Sequence, residues 1–400
     1  MTNLPQSWEI KTLEEVCEVV MGQSPNGNCI FDKDKNKDLI EFHQGKIAFS
    51  DKYINESNFV TSDVRKVAKE NSIVLSVRAP VGEVNITTKD IAIGRGLCSL
   101  NGVKINNNFL FFYLLTLKKY FNDNSTGSTF KAINMKVIKE TKIPLPPLKE
   151  QERIVGILDE SFAKIDESIK ILEQDLLNLD ELMQSALQKA FNPLKDKSKE
   201  NYQLPQGWEW KSLGEIGEII TGTTPSKNNP NFYGNEYPLF KPSDLNGDMI
   251  IKFASDNLSK LGFDNARNLP KNTILIVCIG ASIGKVGLSG VNGSCNQQIN
   301  AVISNSTFIS KYLFFVCLSN YFQEILKKNA SQTTLPIINK TEFSKLQIPL
   351  PPLKEQEQIA SYLDELSLNI KALKENYKTQ IKDYEELKKS LLKKAFEGRL

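Results

Sequence analysis

The stretch IPLPPLKEQE occupies residues 143–152 and returns letter for letter at residues 348–357. Ten identical residues at that separation constrain the chain more than any composition could, because they mark a duplicated unit. The duplication extends well beyond the decapeptide. LPQSWEIKTLEEVCEVVMGQSP (4–25) aligns with LPQGWEWKSLGEIGEIITGTTP (204–225), APVGEVNI (79–86) with ASIGKVGL (281–288), and STGSTFKAIN (125–134) with ASQTTLPIIN (330–339). The offset drifts only from 200 to 205 positions. A repeat of this length is a pair of related domains and not a solenoid of short units. A chain of 400 residues is also too long for one ordinary core.

Each copy reads in the same order. The patterns KTLEEVCEVV and KSLGEIGEII predict a short helix running into a Gly–Pro turn. Runs rich in Val and Ile, NSIVLSV and NTILIVCI, predict strands. The apolar segments NFLFFYLLTLKKYF and ISKYLFFVCLSNYF predict a buried helix, and a polar Ser/Thr/Gly loop follows. The triple prolines of each IPLPPL cannot lie in a helix interior or a central strand, so they mark a stiff, extended exit from the globular unit.

Behind each exit runs the strongest periodicity in the chain. Apolar or small positions fall at Val155, Leu158, Phe162, Ile165, Ile169, Leu172, Leu176, Leu179, Met183, Ala186 and Ala190. The second copy gives Leu363, Leu366, Ile370, Leu373, Tyr377, Gln380, Tyr384, Leu387 and Leu391, with one polar break. Steps of three and four make a heptad seam. A helix of about 40 residues is roughly 60 Å long, too long to bury its stripe on one small domain. The two helices pairing with each other is the economical solution; two separate coils that each recruit a foreign partner is the alternative.

The expected architecture is therefore α+β. Two tandem mixed α/β domains, residues 1–147 and 204–352, are separated by spacer helices at 148–191 and 353–400 that pair as an antiparallel coiled coil. A short charged linker, 192–203, delivers the chain to the second copy. Antiparallel pairing relates the copies by a pseudo-twofold axis, a geometry that suits a bipartite target such as two half-sites on DNA.

The search for catalytic chemistry returns nothing. The single histidine, His43, disfavours imidazole-based acid–base or metal schemes. GASIGKV (280–286) lacks one intervening residue of a P-loop and carries Val286 where the hydroxyl should follow lysine; a turn is the simpler reading. No glycine-rich dinucleotide fingerprint and no amino-methyltransferase motif occurs. Six scattered cysteines without a C-x-x-C pair fit a reducing cytoplasm. No secretory signal or membrane span is expected, the most apolar window being FLFFYLLTL at 109–117. With 50 Lys and Arg against 47 Asp and Glu, the net charge of +3 permits a nucleic-acid partner without demanding one.

The whole chain resembles the DNA-specificity (S) subunit of type I restriction–modification systems, which carry two target-recognition domains, each followed by a long helix introduced by an IPLPPLxEQ-like sequence, here Ile143–Gln151 and Ile348–Gln356. The first copy resembles one recognition-domain type through MGQSP (21–25), FHQGK (42–46), LSVRAPVGEVNI (75–86) and IGRGL (93–97). The second resembles another through GTTPS (222–226), FKPSDL (240–245), GASIGKV (280–286) and CNQQI (295–299). The resemblance implies a noncatalytic, sequence-specific DNA-binding subunit that reads an asymmetric bipartite site, with the paired helices as the ruler of its gap. It implies two methyltransferase (M) subunits that bind S-adenosylmethionine and methylate adenine, and restriction (R) subunits that use ATP and magnesium, while this chain itself holds no cofactor. A recognition subunit of a two-chain methyltransferase–nuclease outside type I is the nearest rival, and a coiled-coil adaptor with heads that do not bind DNA is another.

Phosphates are met by Lys, Arg, hydroxyl and amide groups, and bases by Arg, Gln or Asn in loops. The candidate DNA contacts are Gln44, Lys46, Arg78, Arg95, Ser128, Thr129 and Lys131 in copy one. In copy two they are Lys241, Ser243, Lys285, Gln297, Gln298, Gln332, Thr333 and Thr334. The partner-helix seam is Leu158, Phe162, Ile165, Ile169, Leu172 and Leu176 against Leu363, Leu366, Ile370, Leu373, Tyr377 and Tyr384. Residues shared by two copies of different specificity cannot choose bases, so Gly82, Gly284, Pro25 and Pro225 are expected to be structural. Base selection is expected in the unmatched stretches 26–41, 50–70 and 226–236.

Overall fold

The computed structural model describes residues 4–127, 131–191, 204–331 and 335–400. It divides into two units. The first comprises Met1–Leu172 with Thr379–Leu400, the second Glu173–Lys378. Each unit thus owns one head, the start of one long helix and the end of the other.

In the first unit, the ribbon Glu9–Thr12 with Lys142–Leu145 closes the head, pairing its first and last segments antiparallel, with Ile10 opposite Pro144. Pro144 has no N–H to donate, and a two-stranded ribbon is where that loss is tolerated. A four-stranded antiparallel sheet has the order Cys17–Met21, Leu97–Gly102, Ile73–Ser76, Val84–Ile86. Beside it lies a five-stranded mixed sheet ordered Ile30–Asp32, Phe59–Thr61, Ile40–His43, Ile91–Ile93, Val67–Ala68. The second unit repeats the ribbon with Glu209–Ser212 and Gln347–Leu350. Its larger sheet runs Gly217–Thr221, Ile299–Ser304, Ile274–Val277, Val286–Ser289, Ile250–Ile251. Its smaller one runs Asp256–Leu258, Tyr233–Phe240, Gly293–Cys295, Asn268–Leu269.

Two local expectations are corrected. The expected opening helix is only one turn, Leu13–Val16, and Cys17–Met21 is a strand; Leu213–Ile216 and Gly217–Thr221 repeat this. Isolated helical turns are weak, and this one is held at its start by the Glu15 carboxylate, which accepts from the Thr12 N–H (2.6 Å) and hydroxyl (2.8 Å). The valines that follow find a ladder on Leu97–Gly102 instead. The apolar helices are also broken in two, Asn107–Thr116 then Lys118–Asp123, and Ser310–Leu318 then Asn320–Lys328. In the second copy the break is at Ser319, whose hydroxyl accepts from Phe322 N and starts the next helix.

The repeated decapeptide forms the joint between head and helix. The long helices span Leu148–Phe191 and Leu353–Phe396. The Gln151 side chain is buried; its oxygen accepts from Asn106 N (2.8 Å) and its amide donates to Pro146 O (2.8 Å). Gln356 does the same with Ile309 N and Pro351 O, both at 2.9 Å. One amide therefore ties the proline exit and the first turn of the long helix to the start of the apolar helix.

Helix pairing is seen inside each unit, with the start of one helix against the end of the other, antiparallel. In the first unit Ile154, Leu158, Leu392, Ala395 and Phe396 join the head's core around Phe109 and Phe112. The Phe396 ring lies edge-on to Phe109 (5.2 Å) and Tyr113 (5.0 Å). Lys388 pairs with Asp166 and sits over the Phe162 ring. In the second unit Leu187 and Phe191 join a core with Ala360, Leu363 and Tyr312, with Phe191 edge-on to Tyr312 at 5.5 Å, and Lys374 pairs with Asp180. Of the seam positions, Leu158, Ile165, Leu172, Leu363 and Ile370 are buried. Phe162, Ile169, Leu176, Leu366, Tyr377 and Tyr384 are half-buried, and Leu373 is exposed.

Candidate nucleic-acid interface

In each head, five loops meet at one end of the two sheets, and backbone hydrogen bonds fix their order. In the first head, Gly22 N donates to Leu97 O and Gln23 N to Ile93 O, which brings the Gln-Ser-Pro turn to the loop Gly94–Gly96. Gly94 N donates to His43 O and Gly96 N to Gln44 O, adding the loop after Ile40–His43. Val77 N donates to Gly96 O, and Ala79 N to Lys131 O, adding the loops around Arg78 and Lys131. Gly22 is obligatory here, because a Cβ would overlap the Gly94 carbonyl oxygen.

The second head is wired alike. Gly222 N donates to Ile299 O, Thr223 N to Cys295 O, Asn296 N to Phe240 O, Cys278 N to Gln298 O and Gly280 N to Pro336 O. These bonds set the correspondence of positions. His43 pairs with Ile93 as Phe240 pairs with Cys295, so Gln44 matches Lys241 and Arg95 matches Gln297. Arg78 matches Ile279, and Lys131 matches Pro336. Ser76 N donates to Glu83 O as Val277 N donates to Lys285 O, so Lys285 stands where the first head has an acid.

Most candidate side chains reach this end, in different states. Gln44, Arg78, Arg95, Lys131, Ser243, Lys285 and Gln297 are exposed; Lys46, Lys241 and Gln298 are half-buried. Two amides are held by hydroxyls of the Gly-x-[Ser/Thr]-Pro turn. The Ser24 hydroxyl donates to Gln44 Oε1 (2.9 Å), and the Thr224 hydroxyl to Gln297 Oε1 (2.7 Å). Both glutamine Nε2 groups have no partner among the described residues and can donate outward. Lys241 is committed to Asp256, and Lys46 lies 3.7 Å from Glu83. Gln298 shapes its own loop through Asn296. Lys285 reaches only the Pro242 carbonyl, at 3.4 Å. Arg78, Arg95 and Lys131 have no carboxylate partner among the described residues. Ser128, Thr129, Gln332, Thr333 and Thr334 lie outside the described residues.

Gly82 and Gly284 sit at positive φ, +93° and +91°, in the turn between two strands of each head. The stretch Gly280–Val286 joins two antiparallel strands and precedes no helix, so it has the wrong surroundings for a P-loop. His43 is buried and donates from Nε2 to Glu41 Oε1 (2.8 Å). Burial holds its pKa below the usual imidazole value, against the opposing pull of Glu41. Burial pushes the Glu41 carboxyl up, yet hydrogen bonds from Lys33, Ser57 N, Lys89 and His43 outweigh it and hold the pKa at about 2. This cluster braces the strand that presents Gln44. Burial pushes the thiols of Cys17, Cys98, Cys278 and Cys295 up to about 12, far from a nucleophile's range. Among the described residues no group of three or more His, Cys, Asp or Glu could hold a metal, and no helix is long and apolar enough to cross a membrane.

Sequence reasoning missed Lys66 and Arg267, which border these loops. Lys66 lies in the unmatched stretch 50–70, where no alignable motif drew attention to it. It also missed Ile47, fully exposed beside Lys46.

A model for the type I restriction modification DNA specificity domain matches residues 5–176 and again residues 205–383. The chain is similar to the type I restriction enzyme HindI specificity subunit of Haemophilus influenzae, 32% identical over 188 residues, which is 45% of this chain and only 40% of that relative. It is 24% identical to the type I restriction enzyme MjaIX specificity subunit of Methanocaldococcus jannaschii over 99% of this chain and 94% of that one. A solved structure from work on complex assembly and conformational transition of the type I R-M system superposes with a TM-score of 0.81 at 23% identity, covering 100% of both chains, which shows a shared fold. With both repeats matched from their first motif into the long helices, the chain belongs to the family of type I restriction–modification DNA specificity subunits, whose role is to confer DNA sequence specificity.

Proposed function

We propose that each head reads one half of an asymmetric, split DNA site and that the paired long helices set the gap between the halves. One observation carries this reading: the two loop ends share a backbone frame but carry different side chains at matched places, Gln44 against Lys241, Arg95 against Gln297 and Arg78 against Ile279. A constant frame with variable polar side chains is what base readout requires. Gln44, Arg78, Arg95, Lys131, Lys285, Gln297 and the residues at 128–129 and 332–334 are the proposed contacts; Lys46, Lys241, Ser243 and Gln298 support or extend them. The seam from Leu158 to Leu176 and from Leu363 to Tyr384 is the proposed partner-helix surface. In this reading the chain works in the cytoplasm without a cofactor of its own. Two methyltransferase subunits supply S-adenosylmethionine chemistry, and restriction subunits supply ATP- and magnesium-dependent cleavage.

The test is co-expression with the methyltransferase partner, followed by sequencing of host DNA for methyladenine. A split motif with unequal halves and a constant gap is expected. Inserting four residues, about one turn, into both long helices should change the gap or abolish methylation. An altered half-site at unchanged gap would refute the ruler.

A further inference from the structure

The strand registers match two further positions, at the same 201-residue offset that relates Asn71 to Asn272. Val67 lies opposite Ala92 in the edge ladder of the first head, as Asn268 lies opposite Ser294 in the second. The residues just before them, Lys66 and Arg267, therefore occupy the same place. Both adjoin the loop end. Lys66 O accepts from Ile93 N (3.0 Å), directly before Gly94–Gly96. Arg267 N donates to the Thr223 hydroxyl (3.3 Å), and its guanidinium Nη1 donates to Thr221 O (2.6 Å), at the start of the Gly-Thr-Thr-Pro turn.

Both are exposed, and neither has a carboxylate partner among the described residues. Several cations nearby are paired. Arg65 is paired with Asp63, Lys69 with Asp90, Lys33 and Lys89 with Glu41 and Glu56, Lys241 with Asp256 and Lys260 with Asp264. Those six cations are neutralised within the chain, whereas Lys66 and Arg267, like Arg78, Arg95 and Lys131 at the loop ends, keep their charge for something outside it.

Two heads that read different sequences on one double helix share its phosphates and not its bases. Where the side chain changes between heads, as at Arg95 and Gln297, a base is the suitable partner. Where the charge is kept, as at Lys66 and Arg267, a phosphate is. We propose that Lys66 and Arg267 are phosphate anchors, one per head, that fix the register of each loop end on duplex DNA without reading sequence. The proposal rests on the DNA-reading function above.

The test measures binding of the full chain, in complex with its methyltransferase partner, to a short duplex bearing the methylated site and to one of arbitrary sequence, between about 50 and 200 mM salt. The slope of log K against log salt should fall by about 0.9 in Lys66→Ala or Arg267→Ala, and by about 1.8 in the double variant. Affinity should drop by the same factor on both duplexes, with the methylated motif unchanged. Arg267→Lys separates charge from the Thr221 contact: a phosphate anchor keeps most of the slope, whereas a loop brace loses binding as Arg267→Ala does. An unchanged slope in the alanine variants, or an altered motif, overturns the anchors while leaving the DNA reading intact. A parent complex with no salt-dependent DNA binding overturns both.

Discussion

Truncating a side chain four residues from the last position should destabilise the first head. Phe396 lies in the core that contains Trp8, Phe109 and Phe112, with its ring edge-on to Phe109 and Tyr113. A buried Phe→Ala change costs about 3–5 kcal/mol, and each aromatic pair contributes about 0.5–1.5 kcal/mol beyond area burial. The helix ends at Phe396 itself and the chain turns at Gly398, so the site can partly collapse; about 3 kcal/mol is the expected loss for Phe396→Ala. With a urea m-value of about 2 kcal/mol/M, the midpoint falls by about 1.5 M. The chain has three tryptophans, Trp8 in the first unit and Trp208 and Trp210 in the second. Trp208→Phe with Trp210→Phe leaves Trp8 as reporter of the first unit, and Trp8→Phe leaves the other pair as reporter of the second. The Trp8 transition should move and the other stay; Phe191→Ala, against Tyr312, should do the reverse. A Trp8 midpoint shift under about 0.5 M, or equal shifts in both reporters, would refute the assignment of each helix end to its unit.

Gln151→Ala strands Asn106 N and Pro146 O in a buried setting, so thermal denaturation should show a loss of about 1–3 kcal/mol; Gln356→Ala should match it in the second unit. Gly156 sits exposed inside the first long helix with open space around it, so Gly156→Ala should raise stability by about 0.5–1 kcal/mol in the same assay. His43 has a folded pKa below its ordinary 6.5. As pH falls through that ordinary value the unfolded chain takes up a proton that the folded one refuses, so first-unit stability should decline from about pH 6.5 downward toward the folded value. His43→Gln should remove that step in a pH series of urea melts, while the contribution of Glu41, present above 4.5 and lost toward about 2, should persist.

The architecture was legible because it was written twice. A duplicated frame and a heptad seam survive any error about a single residue, and the long paired helices follow from spacing alone. Local boundaries were less legible, since they depend on partners far away in the chain. Leu13–Val16 and Cys17–Met21 carry one continuous amphipathic pattern, and only the ladder to Leu97–Gly102 turns its second half into a strand. The function of Gln151 was equally hidden: the motif announced itself by repetition, but its partners Asn106 and Pro146 appear only when the apolar helix is docked.

The site shows a deeper limit, and its cause lies in what alignment rewards. Comparing the repeats directs attention to identical letters, and those turn out to be frame: Gly22 and Gly222 permit the close approach of two loops, and Gly82 and Gly284 take up positive φ. The residues that differ lie in the same loops but align poorly, and only the parallel ladders, His43 opposite Ile93 and Phe240 opposite Cys295, match Gln44 with Lys241. Charge is the property that letter identity discards and phosphate recognition keeps. Lys66 and Arg267 share no letter, yet share a place and a sign, and that is sufficient for a backbone contact and useless for choosing a base.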